Sequence, residues 1–128
     1  MIFLSQLPTT ELTVLDLEHI ESIGGWDFLN SVTPLILKSS RDYMRRAIFA
    51  HEENDYQVMN NSLQKLLGVA NIIGATRLIR AILQVQVLVD KQLRMDEEME
   101  TLVDRYNEIE ELLSSDNLEK VLTGGHAC

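Results

Sequence analysis

The residues best suited to recognition in this chain are three amides and a glycine on one side of a predicted helix. Asn60, Gln64, Gly68 and Asn71 are spaced four, four and three residues apart, so at roughly 100° per residue they fall together. Amides donate and accept hydrogen bonds, but the nitrogen lone pair is delocalised into the carbonyl and is not nucleophilic. This face therefore predicts a surface that can bind a partner and cannot form a covalent intermediate.

Another side of the same segment is apolar. Five residues recur at spacings of four, three, four and three, which is typical of one buried stripe on an α-helix: Met59, Leu63, Leu66, Ala70 and Ile73. Asn54 or Asp55 is expected to cap the start of this helix, and Gly74 to end it in the left-handed conformation. The segment thus predicts an amphipathic helix whose polar face exceeds what a scaffold needs.

This segment resembles the histidine-containing phosphotransfer (HPt) family. HPt domains carry a His in the middle of a bundle helix, with Leu, Lys and Gly two, three and four residues later and a Gly-Ala pair closing the helix. Leu66, Gly68 and Gly74-Ala75 match that pattern, and Asn54-Asp55-Tyr56 is similar to the family's Gly-Asp-aromatic lead-in. In this register Gln64 stands at the position of the phosphorylated His and Leu67 at that of the Lys.

The resemblance implies a signalling protein that is not an enzyme. An HPt imidazole attacks an aspartyl phosphate on a receiver domain, and the neighbouring Lys offsets the phosphoryl charge. Gln64 and Leu67 remove both functions, so we expect a pseudo-HPt protein that binds the receiver domain of a response regulator or hybrid histidine kinase and modulates a two-component phosphorelay without accepting phosphate. No catalytic residue, metal or cofactor is expected. The expected contact residues are Asn60, Gln64, Lys65, Leu67, Gly68 and Asn71.

Two of these positions carry further expectations. Leu67 is expected to be exposed and to add apolar contact with the partner. Gly68 costs a helix interior about 1 kcal/mol relative to Ala, so its presence needs a reason. Either its flat surface lets a partner approach, or it lets a neighbouring helix pack closely.

Composition and charge limit the fold and the partners. The chain has 128 residues, 45% of them hydrophobic and only 5% aromatic, with two prolines and six glycines. A single domain built on aliphatic side chains, with few helix breakers, favours long helices joined by short connections. The formal net charge of -9 argues against nucleic acid and against an anionic membrane surface, because both attract cationic proteins. Partners are therefore expected to be proteins.

The sequence also favours a cytoplasmic location. No apolar run approaches the ~20 residues of a membrane span, and residues 1–7 lack the basic start and cleavage site of a signal peptide. The lone Cys128 cannot form an internal disulfide, which fits a reducing compartment.

Periodicity along the chain predicts an all-α fold, an antiparallel up-and-down four-helix bundle with a short additional N-terminal helix. Residues 1–14 are expected to form an N-terminal arm, residues 15–122 the HPt-like bundle and residues 123–128 a flexible tail. The long helices are expected over Trp26 to Glu53, then to Ile73, over Ala75 to Arg94 and over Met95 to Leu113. Pro34 lies inside the first of them, which predicts a kink near residues 30–34 or a helix that begins close to Pro34.

Two other functions stay open from the sequence. The wide apolar face of Ala75 to Arg94, or the heptad seam of Met95 to Leu113, could pair with another chain in a structural module or homodimer. Alternatively, phosphotransfer could use another histidine. His19 lies on a short first helix that could fold near Gln64, His51 is expected near one end of the bundle, and His126 is in the tail.

Overall fold

Five α-helices account for most of residues 14–114, the part of the chain that the computed structural model describes. They are α1 (Leu17–Ser22), α2 (Gly25–Glu52), α3 (Tyr56–Ile73), α4 (Thr76–Asp90) and α5 (Asp96–Leu113). The predicted N-terminal arm, apart from Val14, and the predicted tail lie outside the described residues, as does the end of the predicted bundle beyond residue 114. No helix among the described residues is long and apolar enough to cross a membrane.

The helices pack in the order in which they follow one another along the chain. α2 packs on α3, α3 on α4 and α4 on α5, while α5 also contacts α2 and α1 packs against α2. The connections between the four long helices are short, so each returns antiparallel to the one before it. The predicted all-α bundle with a short additional N-terminal helix is confirmed.

The predicted apolar stripe of α3 lies in the centre of the core. Each of its members is at most 1% exposed: Met59, Leu63, Leu66, Ala70 and Ile73. Leu29 and Ala47 of α2, Ile82 of α4 and Leu102 of α5 are fully buried as well. Because one side of α3 is fixed in the core by this stripe, its polar side has to face outwards.

Both predicted ends of α3 are confirmed. The Asp55 carboxylate accepts a hydrogen bond of 3.2 Å from the backbone N–H of Val58, which satisfies one of the free donors of the first turn. At the other end Gly74 has φ 66° and ψ 37°, a left-handed conformation that costs a residue with a side chain extra energy.

The short helix α1 lies against that C-terminal end of α3. The backbone N–H of Asp16 donates to the carbonyl of Gly74 at 2.8 Å, and His19 Nε2 donates to the carbonyl of Ile72 at 2.9 Å. A Cβ at Gly74 would come within 3.1 Å of Asp16 Cβ and of His19 Cδ2. Gly74 therefore serves both the helix end and the close approach of α1.

Two helix boundaries differ from the sequence expectation. α2 begins at Gly25, one residue before the expected Trp26, and continues through Pro34. Of the two alternatives for Pro34, a helix start close to it is therefore wrong. α4 ends at Asp90 instead of Arg94, and Met95 precedes α5 instead of belonging to it. Gln92 has φ 52° between them, and a left-handed residue of this kind cannot continue a right-handed helix.

Candidate partner-binding surface

Gln64 lies exposed near the middle of α3. Its Oε1 accepts a hydrogen bond of 3.0 Å from Nε2 of Gln86 on α4. The two amides therefore link the outer sides of neighbouring antiparallel helices. The surface around Gln64 is formed by α3 and α4 together.

Three of the other expected contact residues lie on the same α4-facing side of α3, as their angular positions relative to Gln64 require. Asn71 is exposed, whereas Asn60 and Leu67 are half-buried. Leu67 packs against the hydrophobic core, so the expectation that it is exposed is wrong. The physical reason is its angular position between Gln64 and the buried stripe of α3.

Gly68 is exposed on the outermost part of α3. A Cβ built on it would meet no atom within 4 Å, apart from its own helix backbone and adjacent residues. Close packing of a neighbouring helix therefore does not explain this glycine. Of the two explanations that the sequence allowed, a flat patch open to a partner is the one that fits the structure.

Lys65 does not belong to the α4-facing group. It is about 100° round the helix from Gln64, and its Nζ lies 6.0 Å from the ring centroid of Tyr43 on α2. The ammonium is thus directed towards α2 and away from the Gln64–Gln86 pair. Lys65 and Gln64 were expected to contact the partner together, but they lie on different sides of α3.

α4 supplies apolar residues that the expected contact set lacked. Leu83 is 37% and Val87 51% exposed. Relative to Gln86 they lie about 60° and about 100° round α4 in the same direction, away from its buried residues. The sequence did carry a signal for them, since the apolar face of this segment is wider than one buried stripe requires. Burial alone could have explained that width, and only the fold shows that these two side chains reach the surface.

We define the α3/α4 surface as Gln64, Gly68, Asn71, Leu83, Gln86 and Val87. None of these six residues is charged, in a chain whose net charge is -9. Amides surrounded by aliphatic groups and an open glycine can hydrogen-bond and exclude water at an interface. None of these side chains is a nucleophile at neutral pH, so the surface can recognise a partner but cannot carry a phosphoryl group.

Neither of the two described histidines belongs to this surface. His19 is half-buried and bonded to the C-terminal end of α3. His51 is at the C-terminal end of α2, where its Nε2 is 3.4 Å from Oδ1 of Asp96. His126 lies outside the described residues. Within residues 14–114 no group of three or more His, Cys, Asp or Glu side chains could hold a metal ion.

Relatives do not add to this picture. Comparison of the chain with protein-family models, with characterised proteins and with solved structures gave no match. A proposal for its function therefore depends on the fold, on the α3/α4 surface and on the motif in α3.

Proposed function

We propose that this chain is a pseudo-HPt protein that binds the receiver domain of a response regulator or hybrid histidine kinase. One observation carries the proposal. An exposed amide, Gln64, stands in the middle of a bundle helix, with the open Gly68 one turn later, and the resemblance assigns to Gln64 the position of the HPt imidazole. A chain of this kind occupies the docking face of a receiver without exchanging phosphate.

The α3/α4 surface suits such docking for two reasons. Gly68 has no side chain and free space above it, so a partner backbone can approach α3 closely. Leu83 and Val87 provide apolar contact at the side, which contributes to affinity once water is removed from them. Specificity then comes from the amides of Gln64, Gln86 and Asn71, because an amide left unpaired in an interface costs free energy.

The proposed biological effect is competition within a phosphorelay. Receiver domains exchange phosphate with histidines, and a non-reactive occupant of the same face slows that exchange. The proposed place of action is the cytoplasm, where receiver domains meet their kinases.

Titration against isolated receiver domains from the same organism tests the proposal. We expect at least one receiver to bind with a Kd below about 100 μM, since weaker association approaches non-specific contact. Val87→Asp should weaken that binding at least tenfold, because it places a carboxylate in the apolar part of the interface. Leu93→Asp is the matched control, since Leu93 is 48% exposed against 51% for Val87 but lies in the α4–α5 turn, outside the α3/α4 surface.

Two results would refute the proposal. The first is a complete receiver panel in which no member binds with a Kd below about 1 mM. The second is binding that Val87→Asp and Gln64→Ala leave unchanged, because contact would then occur elsewhere on the bundle. Leu67→Glu is less useful as a probe, since Leu67 packs against the core and its replacement would also lower stability.

A further inference from the structure

The outward side of α2 carries an exposed stripe, in which Asp42 forms an ion pair of 3.0 Å with Arg46 of the same helix. Its members follow the three-four spacing of a heptad seam, and all five are exposed: Leu35, Lys38, Asp42, Arg45 and Phe49. The two apolar ends of the stripe are 66% and 64% exposed, more than any other large hydrophobic side chain among the described residues. Such a seam is a common way for one helix to pair with another.

α3 has a similar stripe on its outward side, next to α2. Its spacing and length equal those of the α2 stripe. Its members are also all exposed: Val58, Asn61, Lys65, Gly68 and Ile72. The apolar ends, Val58 and Ile72, are 43% and 49% exposed. Each stripe thus has one apolar residue at either end and a charge at its centre, negative in α2 (Asp42) and positive in α3 (Lys65). In α2 two cations, Lys38 and Arg45, flank the central Asp42.

The two stripes lie side by side at matching heights. Lys65 Nζ lies over the ring of Tyr43, at 6.0 Å from its centroid, which indicates the register of the antiparallel pair α2 and α3. Counting outwards from that contact at 1.5 Å per residue, Asp42, the neighbour of Tyr43, is level with Lys65 to within about one residue. The apolar ends are level too, Leu35 with Ile72 and Phe49 with Val58, about 21 Å apart along the helices.

We propose that this face, the α2/α3 face, binds a second copy of the chain. A two-fold axis parallel to the helices leaves the position of every residue along the helix axis unchanged. It exchanges the two sides of the face. It therefore sets α2 of one copy against α3 of the other. Leu35 then opposes Ile72, Asp42 opposes Lys65 and Phe49 opposes Val58 of the other copy, and each match occurs twice.

The remaining positions of the two stripes also fit. Lys38 opposes Gly68, whose open surface leaves room for a long side chain, and Arg45 opposes the amide of Asn61. Pairing α2 with α2 in antiparallel fashion would instead place Lys38 against Arg45 and Asp42 against its own copy, which like charges disfavour. The complementarity thus selects one arrangement, and because it is isologous the assembly closes as a dimer.

The proposed dimer does not depend on the proposed function. The two interactions nevertheless share one residue. Gly68 belongs to the α2/α3 face and also to the α3/α4 surface. A second copy and a receiver domain would therefore compete for that residue. The interface is small, so we expect a reversible dimer in which long-range repulsion between two chains of net charge -9 opposes association at low salt.

Sedimentation equilibrium of the full chain with two charge-reversed variants tests the arrangement. Asp42→Lys and Lys65→Asp each place like charges opposite one another in both copies, so each variant alone should dimerise at least tenfold more weakly than the original chain. An equimolar mixture of the two restores opposite charges at both matched pairs. The mixture should therefore form a heterodimer with an affinity within about threefold of the original.

A second pair of variants, each replacing an exposed apolar residue by Asp, tests the location of the interface independently. Phe49→Asp should abolish dimerisation, while Val87→Asp, the same type of change on the α3/α4 surface, should leave it unchanged. Circular dichroism checks that each exposed substitution leaves the bundle folded. The proposal is overturned by a chain that stays monomeric up to about 1 mM, by a mixture that does not restore association, or by a dimer that Phe49→Asp leaves intact.

Discussion

Nε2 of Gln86 donates a hydrogen bond of 3.0 Å to Oε1 of Gln64. The two residues are far apart in sequence and meet because α3 and α4 pack antiparallel. This pair shows that the outward position of Gln64, to which the proposed function assigns the place of the HPt histidine, is shared between two helices. An imidazole introduced at position 64 would lie beside the Gln86 amide, which could hydrogen-bond to it.

The first prediction concerns gain of phosphotransfer. Gln64→His together with Leu67→Lys should allow the chain to accept a phosphoryl group from a phosphorylated receiver that it binds. The His supplies a nucleophilic ring nitrogen. The Lys keeps its aliphatic stem against the core while its ammonium reaches the phosphate. The measurement is transfer of radiolabelled phosphate, with an acid-labile, base-stable label on the variant.

Two control proteins accompany this experiment. Gln64→His alone should be labelled more slowly than the double variant, because no cation offsets the phosphoryl charge. The unsubstituted chain should take no label; a label on His19 or His51 would instead support the alternative of active phosphotransfer. If the double variant binds a receiver and yet accepts nothing, the geometry assigned to position 64 is wrong.

The second prediction contrasts two glycines of α3. Gly68→Ala should stabilise the fold by about 1 kcal/mol, because Gly68 is helical and an added Cβ meets no neighbour. Gly74→Ala should destabilise it by about 1 kcal/mol or more, since Gly74 has φ 66° and its Cβ would lie 3.1 Å from Asp16 and His19 atoms. Urea denaturation measures both changes, and effects of the same sign would contradict the structure.

The third prediction concerns alkaline pH. Burial raises the pKa of Tyr106 from its usual 10.0 to about 12, with a further upward contribution from Glu110, while a hydrogen bond with Ser40 acts in the opposite direction. The folded state therefore holds the phenolic proton more tightly than the unfolded state does. This contribution to stability is complete below pH 10 and is lost as the pH rises towards about 12.

Denaturation curves recorded across that pH range check this prediction. Tyr106→Phe should reduce the loss of stability between pH 10 and about 12. Tyr43→Phe is the control, because Tyr43 is only half-buried and its replacement should leave the loss in place. Equal pH profiles for the Tyr106→Phe variant and the original chain would show that this phenol does not cause it.

The fourth prediction concerns Pro34, which is exposed inside α2. Proline has no backbone N–H, so the carbonyl one turn earlier, that of Asn30, loses its helical partner. Pro34→Ala should therefore raise the free energy of unfolding by about 1 to 3 kcal/mol. Asn30→Ala, another exposed change in the same helix, should shift it by less than about 0.7 kcal/mol. Similar gains for both variants would mean that Pro34 costs the helix little.

The sequence of α3 was sufficient to predict much of that helix. Its apolar spacing identified the buried stripe, Asp55 the N-terminal cap and Gly74 the left-handed end. All of these are confirmed. They were predictable because each depends on interactions within a few residues, through helix periodicity and local backbone conformation. The exposed position of Gln64 follows from the same periodicity.

Other features of the surface depend on which helices become neighbours. Lys65 and Leu67 are one and three residues from Gln64, yet Lys65 is directed towards Tyr43 on α2 and Leu67 lies half-buried against the core. Gln86, Leu83 and Val87 enter the surface only because α4 returns beside α3. Periodicity states how far round a helix each side chain lies, but not which neighbour covers it.

The sequence by itself therefore determined that this chain forms an all-α bundle, where α3 begins and ends, and that an amide occupies its outward side. Only the tertiary structure decided that α4 completes the surface around Gln64 and that the stripes of α2 and α3 lie level on a common face. The physical reason is the distance along the chain over which each interaction acts. Capping and periodicity act over one or two turns, whereas the pairing of helices results from the packing of the whole core.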